Sequence, residues 1–329
     1  MNEVRARVIS QEKGLYRISF DGQENWAEVS GKYRYETETV SDYPAVGDYV
    51  VASWPTDGSN SIITSLFPRK SVFIRKAAGT NNQEQVVAAN VDTVFLCMSL
   101  NNDFNLRRLE RYLAMSWDCG ATPVVVLTKA DLCENVNEKI LEVEEIAAGV
   151  DIITVSSQND DFDAVMKYLT EGKTVAFLGS SGVGKSTLIN KILGEDVIRT
   201  SGIRSDDKGR HTTTHRELIT LKNNSFVIDT PGMRELGMWN SESGIDGVFS
   251  DIEKLLSECR FSDCTHSCEP GCAVLAALES GELSQERWDS YRKLKSENSY
   301  AANQSEYMQE KKAKFKEIAK INKARNQKR

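Results

Sequence analysis

No run of about 18 apolar residues occurs anywhere in this chain, and its opening, "MNEVRARVIS", lacks the continuous apolar core of a secretory leader. Membrane spanning and secretion are therefore not expected, and the cytoplasm is the expected compartment. A surplus of positive charge is missing too. The formal net charge is −7, which argues against a surface coated with nucleic acid over its whole extent. There is no internal repeat and no long low-complexity stretch before residue 310, so a repeat array is not expected. A disulfide framework is also lacking. The seven cysteines are an odd number, and Cys259, Cys264, Cys268 and Cys272 crowd into one polar segment beside His266, in the manner of a metal site. Cys97, Cys119 and Cys133 read as ordinary buried or reduced thiols.

What is present is length enough for two or three cores, since 329 residues exceed one ordinary domain. Charge is unevenly spread. Residues 310–329 carry nine lysines and arginines against two glutamates, a basic tail on a body whose residues 1–309 sum to −14. Residues 1–68 hold short alternating segments, "RARVIS", "GLYRISF", "NWAEVS" and "GDYVVASW", separated by turn signals at hairpin spacing. They predict a small all-β barrel. Barrels of the OB type bind nucleic acid with aromatics on an open face, and Tyr16, Trp26, Tyr33 and Tyr35 are the candidates. The segment has more acidic than basic residues, which weakens that expectation.

From about residue 90 strands alternate with helices, the signature of a parallel sheet with helical crossovers. "VDTVFLCMSL" and "TPVVVLTKADL" read as buried strands. Between them Phe104, Leu106, Leu109, Leu113 and Trp117 recur near helical spacing, with Gly120 as the stop. A helix near 134–148, the strand "DIITVSS", a short helix near 161–170 and the strand "TVAFLG" continue the pattern, and "RELITL" and "FVIDTPG" add two more strands.

"GSSGVGKSTL" follows the strand "TVAFLG" and opens a helix, so Gly179, Gly184, Lys185 and Ser186 fit the phosphate-loop pattern G-x-x-x-x-G-K-[ST] in its proper context. Backbone N–H groups of Gly179, Ser180, Ser181, Gly182, Val183 and Gly184 are expected to wrap phosphates. Lys185 meets the β and γ oxygens, Ser186 ligates Mg²⁺, and Thr187 lies in the same helix start. "DTPG" closes an apolar strand, putting Asp229 where it holds Mg²⁺ through water and the Gly232 N–H where it meets a γ-phosphate. Between these motifs a long polar loop carries Thr212, Thr213 and Thr214. Thr213 is favoured, with Thr212 close behind, to complete the Mg²⁺ shell and act as a switch.

Choice of base needs a carboxylate, because guanine offers N1–H and N2–H donors together. "TKAD" supplies Asp131 as acceptor, with the Lys129 stem lying along the base. Thr128 stands where Asn is usual and offers fewer hydrogen bonds, so lower guanine affinity is expected. Ser156 and Ser157, in "VSS", are candidates to offer a backbone N–H to the guanine O6.

The order of these motifs is informative. Base-reading segments at 128 and 155 precede the phosphate loop at 179, and the switches follow at 212 and 229. In an ordinary small GTPase the phosphate loop comes first, so the ring has been cut elsewhere, a circular permutation. Together with "ANVD", "GRHTTT" and the cysteine–histidine cluster, this set resembles the RsgA (YjeQ/YloQ) family, circularly permuted GTPases of small ribosomal subunit maturation. The resemblance implies a multidomain α/β protein: an N-terminal OB-type barrel (1–68), a permuted P-loop GTPase domain (69–240) and a C-terminal helical zinc-binding domain with the basic tail (241–329). It also implies hydrolysis of GTP to GDP stimulated by the small (30S) subunit, contact with its rRNA, no membrane partner, and a monomer.

Many GTPases orient the attacking water with a Gln after D-x-x-G; here the residue is Met233. His211, beside the switch threonines, is the candidate to supply that polar group, with Lys185 neutralising charge. Cys259, Cys264, His266 and Cys272 form C-x4-C-x-H-x5-C, which matches the family's zinc pattern as one structural Cys3His site; Cys268 stands as an alternative to His266. A second reading keeps GTP as a shape-setting ligand of a zinc-containing RNA-binding scaffold with negligible turnover.

Overall fold

The computed structural model describes residues 2–12, 14–37, 39–76, 84–156, 162–194, 217–229 and 242–301. Among them no helix is long and apolar enough to cross a membrane. The chain divides into two compact units, Met1–Gly237 and Met238–Arg329.

The first unit opens with β1 (Asn2–Glu12), β2 (Leu15–Phe20) and β3 (Gln23–Val29), then the short helix α1 (Gly31–Glu36), β4 (Tyr49–Trp54) and β5 (Ser61–Leu66). Antiparallel pairing of β1 with β2 and β4, β2 with β3, and β4 with β5 is closed by a parallel β3–β5 pair, so the five strands form a closed barrel. Alternation explains the interior. Ala6, Val8, Tyr16, Ile18, Ala27, Val29, Val50, Ala52 and Ile63 point inward and exclude water from one small core. This corrects one expectation, because Tyr16 is a core residue rather than part of an open aromatic face. Burial pushes its hydroxyl pKa up to about 12. Trp26 and Tyr35 remain exposed.

A hairpin that the sequence reading did not anticipate, β6 (Val72–Lys76) and β7 (Glu84–Ala89), leads into the nucleotide-type sheet. Its elements are β8 (Thr93–Ser99), α2 (Leu106–Asp118), β9 (Thr122–Thr128), α3 (Val136–Ile146), β10 (Asp151–Thr154), α4 (Asp163–Met166), β11 (Thr174–Leu178), α5 (Lys185–Leu193), β12 (Glu217–Thr220) and β13 (Phe226–Asp229). Strand order is β10-β9-β8-β11-β13-β12, parallel except for β12. β8 and β11 are buried along their whole length, as strands covered on both faces require. The central strand β11 comes after β8, β9 and β10 in sequence yet lies between β8 and β13, so the permutation is visible in the topology itself.

The sheet does not stop at β12. Ser10 of β1 pairs with Glu217, and Glu217 pairs with Asp229, which joins barrel and sheet into eleven continuous strands. Arg7 fastens the joint: Nε donates to Gly47 O (3.0 Å), Nη1 to the Tyr49 hydroxyl (2.6 Å) and Nη2 to Thr174 Oγ1 at the start of β11 (2.8 Å). Gly47, at φ +93, is required there because a Cβ would lie 2.1 Å from the Ala89 carbonyl oxygen. Beside it the fully buried Asp48 is paired with Arg69 at 2.7 Å and accepts from Ala45 N.

The second unit is helical: α6 (Glu242–Val248), α7 (Ser250–Ser257), α8 (Ala273–Ser280) and a helix over 285–301. Phe249, Trp288 and Tyr291 form its aromatic centre, with Tyr291 stacked on Trp288.

Because Arg7 is buried, removing one acceptor leaves a charged donor unsatisfied. Thr174→Val, which keeps shape and removes the hydroxyl, is expected to cost about 1–3 kcal/mol and lower the melting temperature of the first unit by about 3–8 °C, read by calorimetry. An unchanged melting temperature would show that the Arg7–Thr174 hydrogen bond contributes nothing to stability.

Candidate functional site

The phosphate loop leaves the carboxyl end of β11, where parallel pairing also brings the ends of β8 and β9. Gly179 has φ +152, and a Cβ there would lie 2.5 Å from the Cys97 carbonyl oxygen, so only glycine lets the loop start against β8. Val183 is buried and anchors the loop from below. Gly184 turns the chain into α5, whose Leu188 and Ile189 pack into the core beneath the sheet. Ser186 and Thr187 therefore lie in the first turn of α5, where helix N–H groups and the positive end of the dipole favour anions. Lys185 Nζ donates to the carbonyls of Gly179 and Ser180, both at 2.6 Å, and so is held across the mouth of the loop.

The base-reading segment starts where β9 ends. Thr128 is buried; its hydroxyl donates to Val183 O at 2.5 Å and lies 3.4 Å from Met98 O. The hydroxyl thus bridges two segments 55 residues apart in sequence. Lys129 follows in the left-handed region, φ +58, a conformation uncommon for residues other than glycine. The chain then makes a short 3₁₀ turn, Ala130–Leu132, which carries Asp131. Ser156 Oγ donates to Asp131 Oδ1 at 2.9 Å and fixes that carboxylate's direction, while Ala130 N bonds Val155 O. Thr128, Lys129, Asp131, Ser156, Gly184 and Thr187 all border one cavity of about 220 Å³. Phosphate-holding and base-reading residues thereby converge.

Asp229 ends β13 at the same carboxyl edge of the sheet. Ser157, His211, Thr212, Thr213 and Gly232 lie outside the described residues. Two features of the site had no signal in the sequence. Phe162 and Lys191 supply a further wall of the cavity, with Nζ 4.5 Å from the ring centroid. Thr128 faces the phosphate loop rather than open space. Cys97, beneath the loop, is the buried thiol its sequence context suggested, and desolvation pushes it up to about 12, which leaves it an inert packing residue.

In the second unit Cys259, Cys264, His266 and Cys272 bring their ligand atoms within 4.8 Å of one another. Cys259 Sγ lies 3.6 Å from His266 Nδ1 and 3.9 Å from Cys272 Sγ, and Cys272 Sγ lies 3.5 Å from His266 Nδ1. A tetrahedral ion with bonds of about 2.3 Å to sulfur and about 2.0–2.1 Å to nitrogen has S···S edges of about 3.8 Å and S···N edges of about 3.5 Å. The four residues fit such an ion. Cys268 is exposed and stands outside the group. Cys272 caps α8, its sulfur accepting from Leu275 N at 3.5 Å.

A residue absent from the motif organises this loop. The Glu269 carboxylate accepts from the backbone N–H groups of Thr265 (2.9 Å), Ser267 (2.9 Å) and Cys268 (3.1 Å), and from the Thr265 hydroxyl. The Thr265 hydroxyl and these N–H donors hold it well below the usual carboxylate range. His266, at φ +56, meets Trp288 edge to face at 5.7 Å.

With this geometry the chain can be set beside known proteins. A family model described as RsgA GTPase matches residues 66–239. A model described as ABC transporter matches residues 162–319, a range that contains the phosphate loop but not the base-reading segment at 128–131. "Small ribosomal subunit biogenesis GTPase RsgA 2" of Lactiplantibacillus plantarum is 48% identical over 311 residues, 94% of this chain and 87% of that protein. The protein of the same name from Listeria monocytogenes is 45% identical over 91% of this chain and 85% of its own length. Among solved structures, YjeQ from Thermotoga maritima superimposes with a TM-score of 0.65 at 26% identity, covering 89% of this chain and 97% of that one. YloQ, described as a circularly permuted GTPase, gives 0.63 at 27% identity over 90% and 95%. Identity of this extent, in a fold whose strand succession is itself that of a permuted GTPase, settles the kinship: the chain belongs to the RsgA GTPase family.

Proposed function

We propose that the chain hydrolyses GTP to GDP and phosphate in small ribosomal subunit biogenesis, as the names of its relatives state for them. The observation that carries this reading is the cavity in which Asp131 and the phosphate-loop residues meet. Asp131, aimed by Ser156, accepts from the guanine N1–H and N2–H; the Lys129 stem lies along the base, and Ser157 adds a backbone N–H toward O6. Thr128 acts as a brace between base and phosphate segments, because its hydroxyl is already committed to Val183 O. Backbone N–H groups from Gly179 to Gly184 wrap the phosphates, with Ser180 and Ser181 in the loop and Thr187 in the first helical turn. Lys185 neutralises the β and γ oxygens.

Ser186, Thr213 and Asp229 are assigned to Mg²⁺, with Thr212 adjacent; bound with GTP, the ion supplies charge neutralisation between the β- and γ-phosphates. Gly232 N–H meets the γ-phosphate, and His211 orients the water in place of the glutamine that Met233 replaces. Zinc is assigned to Cys259, Cys264, His266 and Cys272, where it would supply a staple for a polar loop with little core of its own. The domains are taken as 1–68, 69–240 and 241–329. The 30S subunit and its rRNA are the partners, met by the barrel and the basic tail, and the protein acts as a cytoplasmic monomer.

Single-turnover hydrolysis is expected to be slow alone and faster with purified small subunits, and His211→Ala is expected to lower the stimulated rate about a hundredfold. Absence of stimulation with RNA binding intact would instead make GTP a conformational ligand. Asp131→Asn is expected to weaken GTP binding about a hundredfold and move preference to xanthosine triphosphate, measured by calorimetry, since the exchanged amide matches the xanthine O2. For the metal, Glu269→Ala is expected to weaken zinc retention about 10- to 100-fold in a chelator competition. Cys268→Ser should leave retention unchanged, and a loss there would show that the wrong fourth ligand has been assigned.

A further inference from the structure

Residues 100–105, between β8 and α2, match none of the nucleotide motifs, yet they touch the phosphate loop. Because β8 and β11 are parallel neighbours, with Leu178 beside Leu96, the segments leaving their carboxyl ends lie side by side. One oxygen of Asp103, Oδ2, accepts from the Ser180 hydroxyl and from Arg108 Nη1 at 2.8 Å. Its direction is set within its own loop. Asn101 Oδ1 accepts from Asp103 N (3.0 Å) and from Ser99 Oγ (2.8 Å), and Asn105 caps α2 through Arg108 N, which places the guanidinium.

Ser180 is consequently gripped twice, its hydroxyl by Asp103 and its carbonyl by Lys185 Nζ. Lys185 is the side chain that must face the phosphates, so whatever fixes Ser180 also fixes the oxygens against which that ammonium rests. A lone carboxylate near a polyphosphate would repel it. Here Arg108 offsets the charge, and its bond and that of Ser180 hold Asp103 ionised, below its ordinary range.

We propose that Asp103, held by Arg108, is a positioning residue for the nucleotide: by fixing Ser180 it sets the shape of the phosphate loop and slows the release of bound guanosine diphosphate. This rests on the GTP-binding reading above. The test is stopped-flow release of a fluorescent GDP analogue from the full chain, chased with excess unlabelled GDP. Asp103→Ala and Ser180→Ala are each expected to speed release about tenfold, since each removes the same charge-assisted hydrogen bond. The double variant is expected to release no faster than the faster single one, because the two groups act through one contact. Asp103→Asn, which keeps an acceptor for Ser180, should fall between Asp103→Ala and the unaltered chain. Asp103 is partly exposed, and coincident thermal melts separate loop positioning from loss of fold; where Asp103→Ala melts early, Ser180→Ala carries the measurement.

Unchanged or slower release in both single variants, or a double variant whose acceleration is the product of the two singles, overturns the proposal while leaving GTP binding in place. An unaltered chain that does not bind the analogue overturns the GTP-binding reading and this proposal with it.

Discussion

Parallel pairing of β11 with β8 on one side and β13 on the other is the constraint from which the site follows. Parallel strands deliver their carboxyl ends to one edge of a sheet, and the loops that leave that edge are forced together whatever their order along the chain. That is why a chain cut between its phosphate and base-reading halves still builds one cavity. The ends of β8, β9, β10 and β11 contribute Asp103, Asp131, Ser156 and the phosphate loop to the same edge. Gly179 is the price of this closeness, since any side chain there collides with the backbone of β8.

Once the loops are side by side, short polar contacts define their relative positions. Thr128 ties β9 to Val183, Ser156 ties the next loop to Asp131, and Asp103 ties the loop after β8 to Ser180. Each contact uses a hydroxyl or carboxylate to join segments that local structure leaves independent. At the other side of the sheet the same economy of means joins the barrel. A single backbone pairing, Ser10 with Glu217, puts β1 in one row with Asp229, and the buried Arg7 supplies the donors that hold Gly47, Tyr49 and Thr174 together. In the second unit the Glu269 carboxylate does for the metal loop what an N-cap side chain does for a helix, accepting from backbone N–H groups that have no secondary structure to satisfy them.

Several parts of this were legible in the residues alone. "GSSGVGKST" could be read because binding phosphate with backbone N–H groups requires glycines and a lysine at fixed local spacing, and the buried strand before it with the helix after it are themselves local patterns. "TKAD" and the cysteine cluster are local for the same reason, and the motif order already implied the permuted sheet. Other parts could not be read. The partner of Thr128 is 55 residues away and that of Ser180 is 77 residues away, distances over which periodicity carries no information. Tyr16 looked like a surface aromatic until the barrel closed around it. Phe162 and Lys191 are unremarkable residues of a short helix cap and a helix face, and only folding makes them a wall.

By itself, then, the sequence determined which residue types are available: the glycines and lysine of a phosphate-loop pattern, a carboxylate at Asp131 and a set of soft metal-ligand candidates, because each of those depends on residue types within one turn or loop. Only the tertiary structure decided which atoms meet. It set His266, and not Cys268, beside the other three ligands, gave the Thr128 hydroxyl its partner in Val183 O, and joined the barrel to the sheet through β1. The reason is geometric: pairing and packing bring groups within about 3 Å across long stretches of chain, and hydrogen bonds and metal coordination respond to that separation alone.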